Sequence, residues 1–270
     1  MSLYAFVSIV GVGAVFALAL LANARFIPIR IAGVAREADD SSAALVDRVY
    51  DPNFVFADPP ALEAGIYLPK YDLTAPEEAE RLASRFGIDA AATETDDRYF
   101  FVSETGRLAV DKYGGGVAFA SEGGETPGEW DPTALAIETL QGYGISTECI
   151  SAAERAAGGR RIVELFAGLE GRADMSAPRR LTFDAEGRLL ELRCSFARYE
   201  RIATARIMTT RAAYALLPTD SPDKDGRIDL KRCELVFIAA DSVIQPAYLF
   251  TGATPGGANF SYFVKAAVYD

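Results

Sequence analysis

The sequence LLELRCSFARY, at residues 189–199, alternates apolar and polar side chains along most of its length. One face would carry four apolar side chains, those of Leu190, Leu192, Cys194 and Phe196. Alternation of this length is typical of a β-strand with one face buried and the other in water. The stretch therefore predicts one long strand, Leu189–Tyr199, in an antiparallel sheet that is covered on one side.

Three segments outside this stretch carry signals for the start of a helix. Thr74 and Glu77 have the spacing of a capping box, Asp131 stands directly before Pro132, and Thr209 opens the third segment. Each predicted helix precedes two or more predicted strands. This order predicts an α+β protein, in which an N-terminal transmembrane helix is followed by two subdomains of antiparallel sheet with packed helices.

The chain of 270 residues divides into four predicted regions. They are a transmembrane anchor at residues 1–24, a stalk at 25–60, an N-terminal α+β subdomain at 61–125 and a C-terminal α+β subdomain at 126–270. The last boundary falls in the glycine-rich stretch Glu122–Glu129, because glycine-rich segments favour linkers and turns.

The run from Leu3 to Ala22 contains no charged side chain and would span roughly 30 Å as a helix, the thickness of the hydrocarbon core of a bilayer. A signal peptide that ends at Ala24 is the alternative, since residues 22–24 resemble a cleavage site. Ser8, Gly13 and Ala17 are small, and small residues allow a second membrane helix to approach closely. We expect a single-pass anchor with a partner-binding face at these three residues.

Charge and composition exclude several classes of function. The chain has 27 basic and 38 acidic residues, a net charge of −11, which disfavours binding to nucleic acid. It has no histidine, so Ser-His and Cys-His catalytic pairs and His-ligated metals are excluded. The three cysteines form no C-x-x-C pair. These features predict no conventional metal or thiol chemistry.

Two short motifs in one acidic turn invite a catalytic or calcium-binding interpretation. Ser221 and Lys224 match S-x-x-K, but the companion motifs of penicillin-binding enzymes do not occur in the sequence. A half calcium loop around Asp223 has Arg232 where a bidentate glutamate is required. We therefore expect no enzymatic activity, no cofactor and no metal ion.

Three longer segments carry a resemblance to a known family. They are LPKYDLTAPEEAERLASRFGI at residues 68–88, SFARYERIATARIMTTRAAYALL at 195–217 and CELVFIAADSVIQPAYLFTG at 233–252. Together with the N-terminal anchor, they make the chain resemble the YycH/YycI family of two-component-system regulatory proteins, and YycI more than YycH. The most specific parts are the stretch around Tyr199 and the strand that begins with Gln245.

The resemblance implies a regulator that is not an enzyme. Family members are anchored in the cell membrane of Gram-positive bacteria by one helix, with the folded region outside the cytoplasm. There they bind a membrane sensor histidine kinase that controls cell-wall metabolism, and also one another. By resemblance we expect partner contacts at Tyr199, Gln245, Pro246 and Tyr248, although alternating aromatic residues in a strand are equally typical of ordinary packing in a sheet. The resemblance also implies helix-over-sheet units of the PepSY type.

A function of another class stays open. The folded region could be an extracytoplasmic binding module for peptides or cell-wall material, or a PepSY-like protease inhibitor. Such a module would function without its membrane anchor. Whether the function requires the membrane helix therefore distinguishes the two hypotheses.

Overall fold

The computed structural model describes residues 50–51, 53–56, 62–70, 72–113, 115–122, 128–196, 198–218 and 227–268. The predicted anchor, most of the predicted stalk and the motif around Ser221 lie outside these residues. Within the described part of the chain, no helix has the length and apolar character needed to cross a membrane.

Eight strands form one antiparallel sheet. In spatial order they are β2 (Thr93–Glu94), β3 (Arg98–Val102), β4 (Gly106–Asp111), β5 (Gly116–Ser121), β11 (Leu189–Ser195), β10 (Arg179–Phe183), β7 (Arg160–Phe166) and β6 (Ser151–Ala157). The pairing of β5 with β11 joins strands from both sides of residue 125 in one sheet.

A second antiparallel sheet has six strands. Its order is β13 (Asp229–Ala240), β14 (Val243–Ala253), β1 (Glu63–Lys70), β12 (Arg198–Ile207) and β16 (Ala267–Val268), with β15 (Asn259–Lys265) also paired to β14. A two-stranded ribbon, β8 (Gly168–Leu169) and β9 (Arg172–Ala173), lies between β7 and β10 in the chain.

Two helices, α1 (Pro76–Arg85) and α2 (Pro132–Gly142), contribute to the core of the eight-stranded sheet. Each begins with a proline, whose missing N–H would have no partner in the first turn in any case. The predicted cap of α2 is confirmed, because the Asp131 carboxylate accepts a hydrogen bond of 2.7 Å from the Ala134 N–H. Leu140 of α2 is fully buried against the sheet.

The third helix, α3 (Thr210–Ala215), lies on the six-stranded sheet. Thr209 caps it as predicted, since its hydroxyl accepts from the Ala212 N–H at 3.1 Å. Tyr214 of α3 packs between rings from the N-terminal end of the described chain and from β14, namely Tyr50, Phe54, Phe56 and Phe250. This aromatic cluster is part of the hydrophobic core on one face of the sheet.

The capping box predicted at Thr74 is wrong. Ala75 occupies the cap position of α1 and makes no side-chain hydrogen bond. The Thr74 hydroxyl instead donates to the Asp111 carbonyl oxygen at 3.1 Å, which ties the loop before α1 to the end of β4. The residue pattern could not show this contact, because the two residues are far apart in sequence.

The predicted α+β class with packed helices in two subdomains is also wrong. Of the described residues, 52% are in strands and 14% in helices, so the protein is mainly β. The strand content was underestimated because some strands are largely exposed. All seven residues of β6 are exposed, and seven of the ten in β12 are exposed as well. Periodicity detects a strand only where one of its faces is buried.

The long strand predicted at residues 189–199 is divided in the structure. β11 ends at Ser195 in the eight-stranded sheet, and β12 begins at Arg198 in the six-stranded sheet. Between them, the Phe196 N–H donates to the Gly115 carbonyl oxygen at 2.6 Å, and the Phe196 side chain is 41% exposed instead of buried. The chain therefore passes from one sheet to the other inside the stretch that was predicted as one strand.

Candidate functional site

A groove of about 490 Å³ opens on the face of the eight-stranded sheet opposite α1 and α2. Strands β4, β5 and β11 form its floor, and Arg98 of β3 stands at one side. Ser176, Ala177 and Pro178, from the loop before β10, form a wall. This volume lies within the range of about 300–1,000 Å³ that is usual for ligand sites.

Small side chains line the floor of the groove. Ala109 of β4 lies directly beside Ala118 of β5, and Ala120 follows on the same face of β5. At Gly116, a Cβ atom would lie 2.6 Å from Oδ2 of Asp111, so the glycine leaves room for that carboxylate. A ligand on this floor would meet backbone and methyl groups, with longer side chains around it.

The charged side chains of the groove occur in neutral pairs. Nε of Arg98 donates to Oδ1 of Asp111 at 2.7 Å, and the Arg193 guanidinium donates to the Glu191 carboxylate. All four side chains are partly exposed, between 27% and 38%. The groove thus presents two cations and two anions to a ligand and no net charge. Such a surface suits a ligand that both donates and accepts hydrogen bonds.

The wall of the groove belongs to a segment that also contacts the six-stranded sheet. We call residues 168–178 the connector. Asp174 of the connector is only 2% exposed and accepts hydrogen bonds from the Ser176 N–H at 2.9 Å and from the Tyr199 hydroxyl at 2.6 Å. The next residue, Met175, donates its N–H to the Phe237 carbonyl oxygen of β13 at 2.8 Å. Ser176 therefore joins the groove to strands of the other sheet.

A second acidic residue fastens the connector at the turn of the ribbon. Glu170 has a φ of 49° and directs its carboxylate toward β1. It accepts from the Tyr67 hydroxyl at 2.7 Å and from the Gly65 N–H at 3.2 Å, and Arg201 lies 3.7 Å away. Burial, with a contribution from this hydrogen bond, raises the pKa of Tyr67 to about 12. The tyrosine therefore stays a hydrogen-bond donor throughout the neutral range.

The predicted partner-binding residues occupy different environments. Tyr199 holds the connector through Asp174 and lies about 3.2 Å from the Ser176 hydroxyl, directly behind the groove wall. The six-stranded sheet buries the other three, Gln245, Pro246 and Tyr248. Gln245 donates a hydrogen bond to the Ala240 carbonyl oxygen, and the Tyr248 hydroxyl donates one to the Met208 carbonyl oxygen. Ser8, Gly13 and Ala17 lie outside the described residues.

Burial also lowers the reactivity of two thiols. It raises the pKa of Cys194 and of Cys233 to about 12, so very little of either is thiolate at neutral pH. Cys194 points into the core between the sheet and the helices, where it behaves as a small apolar side chain. Among the described residues, no three His, Cys, Asp or Glu side chains are grouped so that they could hold a metal ion.

Most residues of the groove could not be identified from the sequence. Arg98, Gly116, Ser176 and Arg193 belong to four separate elements, and only the pairing of the strands brings them together. The available signal was the polar face of 189–199, which does carry Glu191 and Arg193 into the groove. Tyr199 was predicted as a site residue, but its contact with Asp174 was not.

Comparison with known proteins gives little further information. No protein family matches the sequence, and no curated protein matches it either. Among solved structures, the chain is similar to the Bacillus megaterium YpeB C-terminal domain, with 11% sequence identity and a TM-score of 0.46. The alignment covers 73% of this chain and 94% of that domain.

Proposed function

We propose that this chain is a membrane-anchored regulatory protein without an enzymatic activity of its own. In this proposal residues 1–24 hold it in the cell membrane and the described residues lie outside the cytoplasm. The protein binds an extended polypeptide segment in the groove and modulates a sensor histidine kinase of a cell-wall two-component system. The kinase and the location come from the resemblance to the YycH/YycI family.

The observation that carries the proposal is the groove with its wall on the connector. A peptide backbone donates and accepts hydrogen bonds in equal number, and the groove offers paired arginines and carboxylates together with the Ser176 hydroxyl. A ligand that touches Ser176 acts on Asp174 and Tyr199, and hence on β12. Binding on one sheet can therefore be transmitted to the other, as a regulator requires.

The chemistry of the described side chains favours binding over catalysis. A nucleophile needs a lowered pKa or an adjacent base, whereas burial raises the pKa of the Cys194 and Cys233 thiols to about 12. The buried Asp174 carboxylate holds Tyr199 and Ser176 in place. These arrangements support a role in positioning the groove wall.

Co-purification of the full-length protein tests the proposal. The tagged chain would be isolated in mild detergent from its own host, and bound proteins would be identified by mass spectrometry. Ala118→Trp fills the floor of the groove, while Ala258→Trp places the same side chain on an exposed loop as a matched control. We expect a sensor histidine kinase with the natural chain and with Ala258→Trp, and at least tenfold less with Ala118→Trp (about 1.4 kcal/mol of binding free energy).

The membrane helix is tested in the same way with Gly13→Leu combined with Ala17→Leu. Loss of the kinase from this variant supports contacts inside the membrane. If all variants recover no kinase and instead retain a peptide, a glycan or a protease, the regulator hypothesis is wrong. The alternative, a binding module or protease inhibitor that acts without its anchor, would then replace it.

A further inference from the structure

Strand β6 forms an open edge of the eight-stranded sheet. It pairs with β7 on one side, and no other described strand pairs with its second side. All seven of its residues, SAAERAA, are exposed, and four of them are alanine. Proteins usually protect such an edge with charged side chains, lysine above all, or with proline, a bulge or a very short strand. β6 has no proline, lysine or bulge and is seven residues long, and its two charged side chains are those of Glu154 and Arg155.

The hairpin geometry identifies the backbone groups that face outward. Gly158 and Gly159 both have positive φ, at 57° and 74°, as a two-residue type I′ turn requires. In such a turn the flanking residues, Ala157 and Arg160, form a hydrogen-bonded pair. Because hydrogen-bonded and non-hydrogen-bonded pairs alternate along an antiparallel ladder, this first pair determines which residues of β6 bond to β7. The N–H and C=O groups of Ala152, Glu154 and Ala156 therefore point away from β7, toward solvent.

The same hairpin carries an excess of positive charge. Arg155, Arg160 and Arg161 are exposed, and none of them has an acidic partner among the described residues. The single acid of β6, Glu154, accepts a hydrogen bond from the Thr133 hydroxyl at the start of α2. In a chain with a net charge of −11, three arginines without acidic partners on one hairpin form a distinct basic patch.

We propose that β6 is a docking edge for an acidic, extended segment of a partner protein, which adds to the sheet as a ninth strand. Main-chain hydrogen bonds to Ala152, Glu154 and Ala156 would supply the pairing. Acidic side chains of the segment would lie near Arg155 and Arg160 on the groove face of the sheet, or near Arg161 on the face of the helices. The small alanine side chains let the segment approach closely.

Charge argues against a second copy of this chain as the occupant. Two β6 strands related by a two-fold axis would place two basic hairpins side by side, and a register centred on Arg155 would set that residue opposite itself. An acidic segment has the complementary charge. The proposal concerns a surface different from the groove and does not depend on the proposed function.

Peptide binding to the full-length protein in detergent micelles tests this proposal. The probe is a capped, fluorescein-labelled eight-residue peptide of alternating valine and glutamate, and its control has lysine in place of glutamate. Fluorescence anisotropy should give about tenfold tighter binding of the glutamate peptide, as expected for a few exposed charge pairs. Replacement of Arg155, Arg160 and Arg161 by glutamine should remove this preference.

Two further variants test whether the backbone is the recognised group. Ala156→Pro removes an outward N–H at a position where an edge strand tolerates proline, and Ala156→Ser keeps that N–H as the matched control. We expect at least fivefold weaker binding of the glutamate peptide to Ala156→Pro and unchanged binding to Ala156→Ser, with circular dichroism to verify folding. Ala118→Trp should bind the peptide normally, which separates this edge from the groove.

Methylated peptides keep the proposal testable if Ala156→Pro does not fold. In an extended peptide, the N–H groups of every second residue point toward β6 and the others point away from it. N-methylation of the residues that point toward β6 should abolish binding, while N-methylation of the others should not. Equal binding of the glutamate and lysine peptides would overturn the proposal. Equal binding of the two methylated peptides would also overturn it, since attraction by charge alone does not require strand pairing.

Discussion

The two sheets are both antiparallel, but they differ in how their faces are used. The six-stranded sheet has buried side chains on both faces of β13, with Leu235 and Phe237 in one cluster and Val236 and Ile238 in another. In the eight-stranded sheet the hydrophobic cluster lies on the face under α1 and α2, and the other face carries ion pairs and the groove. The first arrangement buries side chains on both sides of the sheet, and the second leaves one face open for binding. The connector joins them, so the difference can be tested by variants on each side.

The largest effect is expected from Phe250→Ala in the six-stranded sheet. Phe250 is fully buried among Tyr214, Phe54 and Tyr248, and truncation of a buried phenylalanine costs about 3–5 kcal/mol. Urea unfolding can be followed by circular dichroism and by the fluorescence of Trp130, the single tryptophan, which packs on Phe183 in the eight-stranded sheet. Because the connector couples the sheets, we expect both signals to shift together to lower urea. A fluorescence transition that stays in place while the circular dichroism becomes biphasic would show that the sheets unfold separately.

Gly252→Ala should give the next largest effect. A Cβ at Gly252 of β14 would lie 2.1 Å from the Asp229 carbonyl oxygen and 2.9 Å from Cα of Leu230, both backbone atoms of β13. Strand separation at this position should cost about 3 kcal/mol. Gly142→Ala is the matched control, because nothing lies within 4 Å of its Cβ position at the end of α2, where alanine is the better helix former. Thermal unfolding should show a lower Tm for Gly252→Ala and no decrease for Gly142→Ala; equal Tm values would mean that β13 and β14 are not held so closely.

Tyr67→Phe weakens the link between the sheets at Glu170. Removal of the hydroxyl takes away its hydrogen bond of 2.7 Å, while the Gly65 N–H still donates to the carboxylate, so we expect a loss of about 1–2 kcal/mol. The pH dependence provides a second readout. The pKa of Tyr67 is raised to about 12 in the folded state, against about 10 when unfolded. Its contribution to stability is therefore complete below pH 10 and is lost as the pH rises toward 12.

Equilibrium unfolding of the natural chain and of Tyr67→Phe should accordingly be compared at pH 8 and pH 11. We expect the difference in free energy of unfolding between the two chains to become smaller at pH 11. A difference that is unchanged or larger at pH 11 would contradict the raised pKa. Burial beside the eight-stranded sheet also raises the pKa of Tyr143. Its effect on the pH dependence of stability is the same in both chains and therefore cancels in the difference.

Sequence patterns predicted the local features of this fold better than its sheets. Asp131 and Thr209 were identified as helix caps because capping depends on neighbouring residues. The prediction of one strand across residues 196–197 was wrong, although the pattern changes there: Phe196 and Ala197 are adjacent apolar residues, which reverses the phase of the alternation. Tyr199 was predicted as a site residue from a resemblance, while its partner Asp174 lies 25 residues away in the chain. Contacts of this kind follow from strand order, which periodicity does not encode.

The smallest effect is expected on the open face of the eight-stranded sheet. Arg98→Gln removes the ion pair with Asp111, but both side chains are more than a third exposed, so the free energy of unfolding should fall by less than about 1 kcal/mol. A double-mutant cycle with Asp111→Asn, measured by urea unfolding, isolates the coupling of the pair. We expect a coupling of at most about 0.5 kcal/mol that decreases at high salt, because water and ions screen an exposed pair. A coupling above 2 kcal/mol would mean that the ion pair stabilises the sheet as a structural element. The charged side chains of the groove would then not be free to turn toward a ligand.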